Sequence, residues 1–230
     1  MSQTVCITGA ARGLGLGYTE HYLKAGWQVL AVARKAKEKD SLKKLTQTYR
    51  DQLEVFDADV TQYESLLPLR KRWEAGSLDL LINNAGVLLD RHMDFEKLPL
   101  EILRQSFEVN VIAPVALTQM ALPALQKSTK PIVAMMSSLM ASITDNASGG
   151  YYGYRSSKTA LNMITRSLAT DYPWLIAVAL HPGWVQTEMG GSQAPTAVEE
   201  SISGLTRVIA GLRSEDSGQF RNFKGQTLPW

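Results

Sequence analysis

The amino-acid sequence predicts an α/β fold, with one doubly wound parallel sheet and helices on both of its faces. Three observations carry that reading. Short apolar, β-branched runs alternate along the chain with amphipathic stretches long enough for helices. The apolar runs are continuous rather than alternating, as in Leu78 to Ile82, which suits parallel strands covered on both faces. The first run also enters a glycine-rich turn that opens a helix, an arrangement that cradles phosphate.

Taken in order, Thr4 to Thr8 reads as a buried strand. It runs into TGAARGLGLG, where Gly9, Arg12, Gly13, Leu14 and Gly15 make the turn, and a helical pattern follows to Ala25. Glycines there let the backbone approach a pyrophosphate, whose charge the helix N-terminus favours. Gly26 ends the helix, and Trp27 to Ala33 is the second strand. Folds that bind NAD usually place an acid at the end of this strand for the ribose 2′-hydroxyl. Here the strand ends in Arg34-Lys35, and the next acid is Glu38. Two cations stand where a carboxylate would repel a 2′-phosphate, with Arg12 on the same side, so NADP(H) is expected in preference to NAD(H). The plainer reading, a solvated basic helix in ARKAKEKDSLKK, describes Lys37 to Lys44 but leaves the missing acid unexplained.

Leu53 to Asp57 is the third strand, followed by Ala58-Asp59-Val60 and a helix to about Ala75. The strand Leu78 to Ile82 runs into Asn83-Asn84-Ala85-Gly86. A long helix is expected from Pro99 to Leu122, then a strand from Pro131 to Met136 that ends at Ser137-Ser138. After a tyrosine-rich helix come a strand from Leu175 to Leu180, His181-Pro182-Gly183, and a last helix from Thr196 to Leu212. The tail to Trp230 has room for one more short strand. Thr8, Arg34, Asp59, Asn83, Ser138 and Pro182 all fall at strand ends, so they should converge on one crevice. The whole is expected to form a single domain of the Rossmann type.

The tyrosine-rich helix organises the rest. In GYYGYRSSKTALNMITRSL, only Tyr154 of the three tyrosines has a lysine four residues on, at Lys158, so the two side chains should be neighbours on one face. A free phenol has a pKa near ~10. An ammonium at ~4 Å in a surface-like dielectric contributes roughly 4 kcal/mol, enough to bring that pKa down by about three. A tyrosine so placed works as a general acid or base near neutral pH. Taken alone, the pair reads better as a surface pair on an amphipathic helix, and the motifs elsewhere in the chain reverse that preference.

Two further expectations are local. Pro114 lies inside the long helix and has no N–H for the carbonyl of Asn110, so the helix should be distorted there, with an ordered water filling the gap. Phe220, Phe223, Leu228 and Trp230 are many apolar groups for a tail, which should pack on the sheet edge or on a partner subunit.

Composition excludes several classes. With 230 residues, 45% hydrophobic and 20% charged, the chain reads as one ordinary globular domain. Its net charge of +2 argues against nucleic acid or an acidic membrane surface as the main partner. Cys6 is the only cysteine, so no internal disulfide is possible and a reducing, cytoplasmic location is expected. No apolar run approaches a membrane span in length. His21, His92 and His181 lack ligand spacing, so no metal is expected. Neither a nucleophile elbow nor a P-loop is present.

Five motifs, in order, resemble the short-chain dehydrogenase/reductase family over essentially the whole chain. They are TGAARGLG, Asp59-Val60, NNAG at Asn83 to Gly86, YRSSK at Tyr154 to Lys158, and PGWVQT at Pro182 to Thr187; Asn110 in EVNV also matches. The stretch SSLMASITDNASGGYYGYRSSKTALNM and the ending GQTLPW resemble the branch of C-factor-like proteins and Sniffer-type carbonyl reductases. The resemblance implies a reductase of small or medium carbonyl compounds that works as a homodimer or homotetramer. Tyr154 would move the substrate's proton, while Lys158 would lower its pKa and bind the nicotinamide ribose. Ser138 would hold the carbonyl, with Ser137 the second candidate, and Asn110 would anchor a relay water. Asp59 and Val60 would receive the adenine, and Asn83, Ala85 and Gly86 would line the adenosine side. Pro182, Gly183, Val185 and Thr187 would hold the nicotinamide end. Ser138 lies sixteen residues before Tyr154, a few more than usual in the family, which points to a longer loop. A nucleotide-sensing or signalling role is the alternative.

Overall fold

Each apolar run forms a strand because its side chains have core to meet on both faces of the sheet. In the computed structural model, which describes residues 2–230, seven strands form one sheet in the order β3-β2-β1-β4-β5-β6-β7. They are β1 (Thr4–Thr8), β2 (Gln28–Ala33), β3 (Leu53–Asp57), β4 (Leu80–Asn83), β5 (Ile132–Met136), β6 (Ile176–His181) and β7 (Phe220–Asn222). Every neighbouring pair is parallel. The helices are α1 (Gly13–Lys24), α2 (Asp40–Thr48), α3 (Leu67–Glu74), α4 (Leu100–Phe107), α5 (Ala113–Leu125), α6 (Tyr152–Asp171) and α7 (Val198–Gly211).

Successive residues of a strand point to opposite faces, and each face has its own core. Val5, Ile7, Val29 and Ala31 meet Tyr18, Ile202 and Leu205 on one side. Cys6, Leu30, Leu81 and Val133 meet Trp73, Leu117 and Leu161 on the other. The chain runs outward from β1 to β3 and then returns to place β4 on the other side of β1. That reversal opens a crevice beyond the carboxyl ends of β1 and β4, where ligands bind in such sheets.

The long helix differs from a simple one in the expected place. Between α4 and α5 the segment Glu108–Ile112 is a π-helical turn, and the N–H of Ala113 bonds the carbonyl five residues back, at Glu108. Pro114 has no N–H for Asn110, so the ladder shifts register rather than lose a bond outright. One expectation needs correction. By length and composition Leu100–Leu125 is apolar enough to cross a bilayer, although half of its apolar window is buried inside the fold. Lining the sheet makes it apolar, and a core helix passes the same test as a span.

The tail packs on the sheet edge. Phe220 is fully buried in β7, and the Trp230 ring stacks on it at 5.7 Å between centroids. The Leu228 N–H donates to the Phe220 carbonyl at 2.8 Å. The main-chain oxygen of Trp230 accepts from Thr144 N at 3.0 Å and Ser142 Oγ at 3.1 Å, tying the tail to the loop before α6.

Candidate active site

The crevice is a cleft of about 1430 Å³ running from the glycine turn to the start of α6. Its floor is stitched at the ends of β1 and β4. The Thr8 hydroxyl accepts from Asn84 N at 3.0 Å and Ala85 N at 2.9 Å, and Asn84 Nδ2 donates back to the Thr8 carbonyl at 2.8 Å. Glycine is obligatory in the turn above. A Cβ at Gly15 would lie 2.0 Å from the Gly9 carbonyl oxygen, and Gly9 itself has φ +67°. The first turn of α1 carries no side-chain cap and no acid, so its N–H groups and positive end are left for the cleft.

Arg12, Gly13, Leu14, Arg34, Asp59, Val60, Ala85, Gly86, Tyr154, Lys158, Pro182 and Thr187 all line this space. Arg34 lies 3.7 Å from Asp59 Oδ2, and Arg12 pairs with Glu188 from the loop after β6. All but Asp59 are largely exposed, so each pair stabilises the fold by about 1 kcal/mol at most and readily gives way to another anion. Asn83 is turned the other way. Its side chain is buried and donates to Thr118 Oγ1 at 3.2 Å, and Asn84 lines the cleft instead. Val185 is buried beside Thr196 in an isolated bridge, and Gly183, at φ +88°, is packed against the ring of Phe223.

At the other end of the cleft, α6 presents Tyr154 from its first turn and Lys158 from the next, both buried. Lys158 Nζ sits 5.9 Å from the centre of the Tyr154 ring and donates to the Met136 carbonyl at 2.8 Å. Ser138, just beyond β5, acts on the phenol and pulls its pKa down. Ser137 is committed elsewhere, donating to Asn162 Oδ1 at 2.6 Å, so Ser138 alone of the two serves the tyrosine. Asn110 fastens the π-helical turn to its surroundings. Its Oδ1 accepts from Val87 N at 2.9 Å, and its Nδ2 donates to the Val87 carbonyl at 2.9 Å and to Ser157 Oγ at 3.0 Å.

The electrostatics run against the expected direction. Burial raises the Tyr154 pKa above its ordinary value, and the Ser138 hydroxyl only partly offsets this. Lys158 does not draw it down because the ammonium is itself disfavoured by burial, its pKa lowered to about 8, and is turned toward Met136. At neutral pH the phenol therefore keeps its proton, the state required of a general acid.

Sequence reasoning did not single out Asp90. Its carboxylate, on the loop after β4, is 1% exposed and accepts from the N–H of Gly153 at 2.6 Å and of Tyr154 at 3.4 Å. No local pattern marks an isolated loop acid. Glu188 was likewise unremarked, and choosing Asn84 over Asn83 required only that the strand's alternation be carried one residue further. Among the described residues, no group of three or more His, Cys, Asp or Glu side chains is gathered as a metal site.

A family model described as short chain dehydrogenase matches residues 3–197. The chain belongs to this family of oxidoreductases. Among its relatives, C-signal of Myxococcus xanthus is 41% identical over 163 residues, covering 67% of this chain and 94% of its own length. Short-chain dehydrogenase RED3 of Pyricularia oryzae is 30% identical over 247 residues, covering 100% of this chain and 99% of its own. Of solved structures, carbonyl reductase Sniffer of D. melanogaster matches with a TM-score of 0.95 at 31% identity, covering 100% of both chains. The NADPH bound carbonyl reductase from chicken fatty liver matches at 0.90 with 32% identity, covering 100% of this chain and 99% of its own. The doubly wound Rossmann-like sheet is thus the family's fold.

Proposed function

We propose that this chain is an NADPH-dependent reductase of small or medium aldehydes and ketones, with Tyr154 as general acid. The observation that carries the reading is the group at the inner end of the cleft: a buried, protonated phenol whose pKa Ser138 pulls down, with Lys158 one turn on. The residues present fit a dinucleotide. The glycine turn excludes a Cβ at residue 15, the start of α1 is uncapped, and Arg12 and Arg34 offer exposed cations at the mouth. When bound, the nicotinamide supplies the hydride.

The protein's own residues do the rest. Ser138 and Tyr154 offer two hydroxyl donors to one carbonyl oxygen, polarising it where negative charge develops. As that charge grows, Tyr154 Oη gives its proton to the oxygen. Lys158 stabilises the resulting phenolate and binds the nicotinamide ribose. Asn110, in the π-helical turn, anchors the water that returns the proton. Asp59, Val60, Asn84, Ala85 and Gly86 would hold the adenosine half, and Pro182 and Thr187 the nicotinamide half. Arg34, helped by Arg12, selects the 2′-phosphate and so NADPH over NADH. The working form is a cytoplasmic homodimer or homotetramer.

Similarity to C-signal favours a second reading, in which the cleft binds the nucleotide for signalling with little turnover. NADPH oxidation against an aldehyde and ketone panel separates the two. The reductase reading expects turnover in the wild type and a loss of at least about 100-fold in Tyr154→Phe, with NADPH binding retained. Binding without turnover in the wild type supports signalling instead.

A further inference from the structure

We infer that Asp90 is a positioning residue for the catalytic tyrosine, acting as an N-cap for α6 supplied from across the fold; this rests on the reductase reading above.

The start of α6 is badly provided for by its own sequence. Gly149 and Gly150 enter it with φ +63° and +65°, and Tyr151 follows at φ 52°. A left-handed conformation is unfavourable for a residue with a Cβ, so this entry is held in place by something other than local preference. The residue at the cap position, Tyr151, has no side-chain oxygen within reach of the helix, and no acid lies in the first turn. The first N–H groups of a helix need outside partners. Here they find the carboxylate of Asp90, which takes Gly153 N at 2.6 Å and Tyr154 N at 3.4 Å.

Burying that carboxylate is unfavourable unless its surroundings repay the loss of water. Among the described residues, no side-chain cation pairs with Asp90. What faces it are the N–H groups and positive end of α6, to which an anion bonds more strongly than a neutral acceptor. Its second oxygen, Oδ1, is buried without a partner, as is Ser106 Oγ. The site is shaped for this contact. A Cβ at Gly153 would lie 3.0 Å from Ser106 Oγ, a tight contact, and in ordinary contact with Asp90 Oδ2 at 3.4 Å, so a side chain there would press on the serine beside the carboxylate. Position 153 is glycine in an otherwise regular helix, where glycine is a poor former.

The consequence reaches the chemistry through one bond. Asp90 holds the main-chain nitrogen of Tyr154 itself, one residue from its tightest contact at Gly153. From the other end, Ser157 Oγ donates to the Tyr154 carbonyl at 2.8 Å and accepts from Asn110 at 3.0 Å. The tyrosine's backbone is thus clamped on both sides, from the loop after β4 and from the π-helical turn. Displacing a reacting group by about 1 Å can lower the rate about 100-fold.

The test compares Asp90→Ala, Asp90→Asn, Gly153→Ala and Tyr154→Phe with the wild type. It uses the panel carbonyl that the wild type reduces fastest. Asp90→Ala should lower kcat by roughly 10- to 100-fold while KM for NADPH moves less than about threefold. Asp90→Asn keeps an acceptor oxygen for Gly153 N and should restore kcat to within about threefold of wild type. Gly153→Ala, which crowds Ser106 beside the carboxylate without removing Asp90, should lower kcat with the same KM split. An Asp90→Ala enzyme with wild-type kcat would overturn the inference. So would a loss shared equally between kcat and KM, or an Asp90→Asn enzyme no better than Asp90→Ala. If Asp90→Ala does not fold, Asp90→Asn and Gly153→Ala decide alone. A wild type without turnover, or one equalled by Tyr154→Phe, would instead sink the reductase reading.

Discussion

Two helices begin at this cleft, and they begin in opposite ways. The start of α1 is left bare, with no side-chain cap and no acid in its first turn, behind a turn that only glycine can make. The start of α6 is filled, its N–H groups taken by a buried carboxylate from a distant loop. A bare N-terminus is an anion site, and its worth lies in what has yet to arrive. A filled one binds nothing further, but it fixes the side chains of its first turn, and Tyr154 is among them. The charged groups differ in the same sense. Arg12 and Arg34 are exposed and weakly paired, whereas Lys158 is buried and hydrogen-bonded to the backbone.

The largest expected effect comes from making α1 resemble α6. Arg12→Asp places a carboxylate at the cap position of α1. NADPH affinity, read by fluorescence titration, should fall at least tenfold below that of Arg12→Ala. The melting temperature should change little, because the cap's gain of about 1 kcal/mol is offset by the lost pair with Glu188. Equal affinities for the two variants would mean that the bare helix end is not the phosphate site. Next in size, Arg34→Asp should weaken NADPH binding roughly tenfold more than NADH binding. A loss shared equally by both cofactors would remove the 2′-phosphate role.

The pH profile reads the buried end. Tyr154, raised by burial, stays protonated through neutral pH, and Lys158, lowered to about 8, is still mostly charged there. Carbonyl reduction should therefore be level up to about pH 7.5 and fall as Lys158 loses its charge above about pH 8. A rate that rises across pH 8 would contradict the assignment. Smallest is the tail. Deleting Thr227 to Trp230 removes the stacking on Phe220 and the bonds to Ser142 and Thr144. A melting point lower by about 2–8 °C is expected, from a loss of about 1–2 kcal/mol. A truncated chain that melts with the wild type would show that the tail only rests on the edge.

What the sequence revealed divides along the same line. The strand β1 falls where its apolar run does, because a parallel strand buried on both faces writes its limits directly. The glycine turn was legible for a similar reason: its geometry needs particular residues in consecutive places. Even the π-helical turn was foreshadowed, since Pro114 removes one definite hydrogen bond. The filled end of α6 left no such mark. Asp90 and Gly153 are 63 residues apart, and only the fold brings them together. The phenol's pKa was read with the wrong sign because spacing gives a neighbour but not its burial. Spacing also could not show that the Met136 carbonyl would claim the ammonium.

That the cleft passes a hydride, rather than merely holding a nucleotide, is tested most directly by isotope transfer. NADPH deuterated at both C4 positions would be incubated with the carbonyl panel and either wild type or Tyr154→Phe, and the products read by mass spectrometry. A reductase yields an alcohol with one deuterium on the former carbonyl carbon, and the variant yields at least about 100-fold less in the same time. Tight NADPH binding with no deuterium in any product of the wild type would contradict the account.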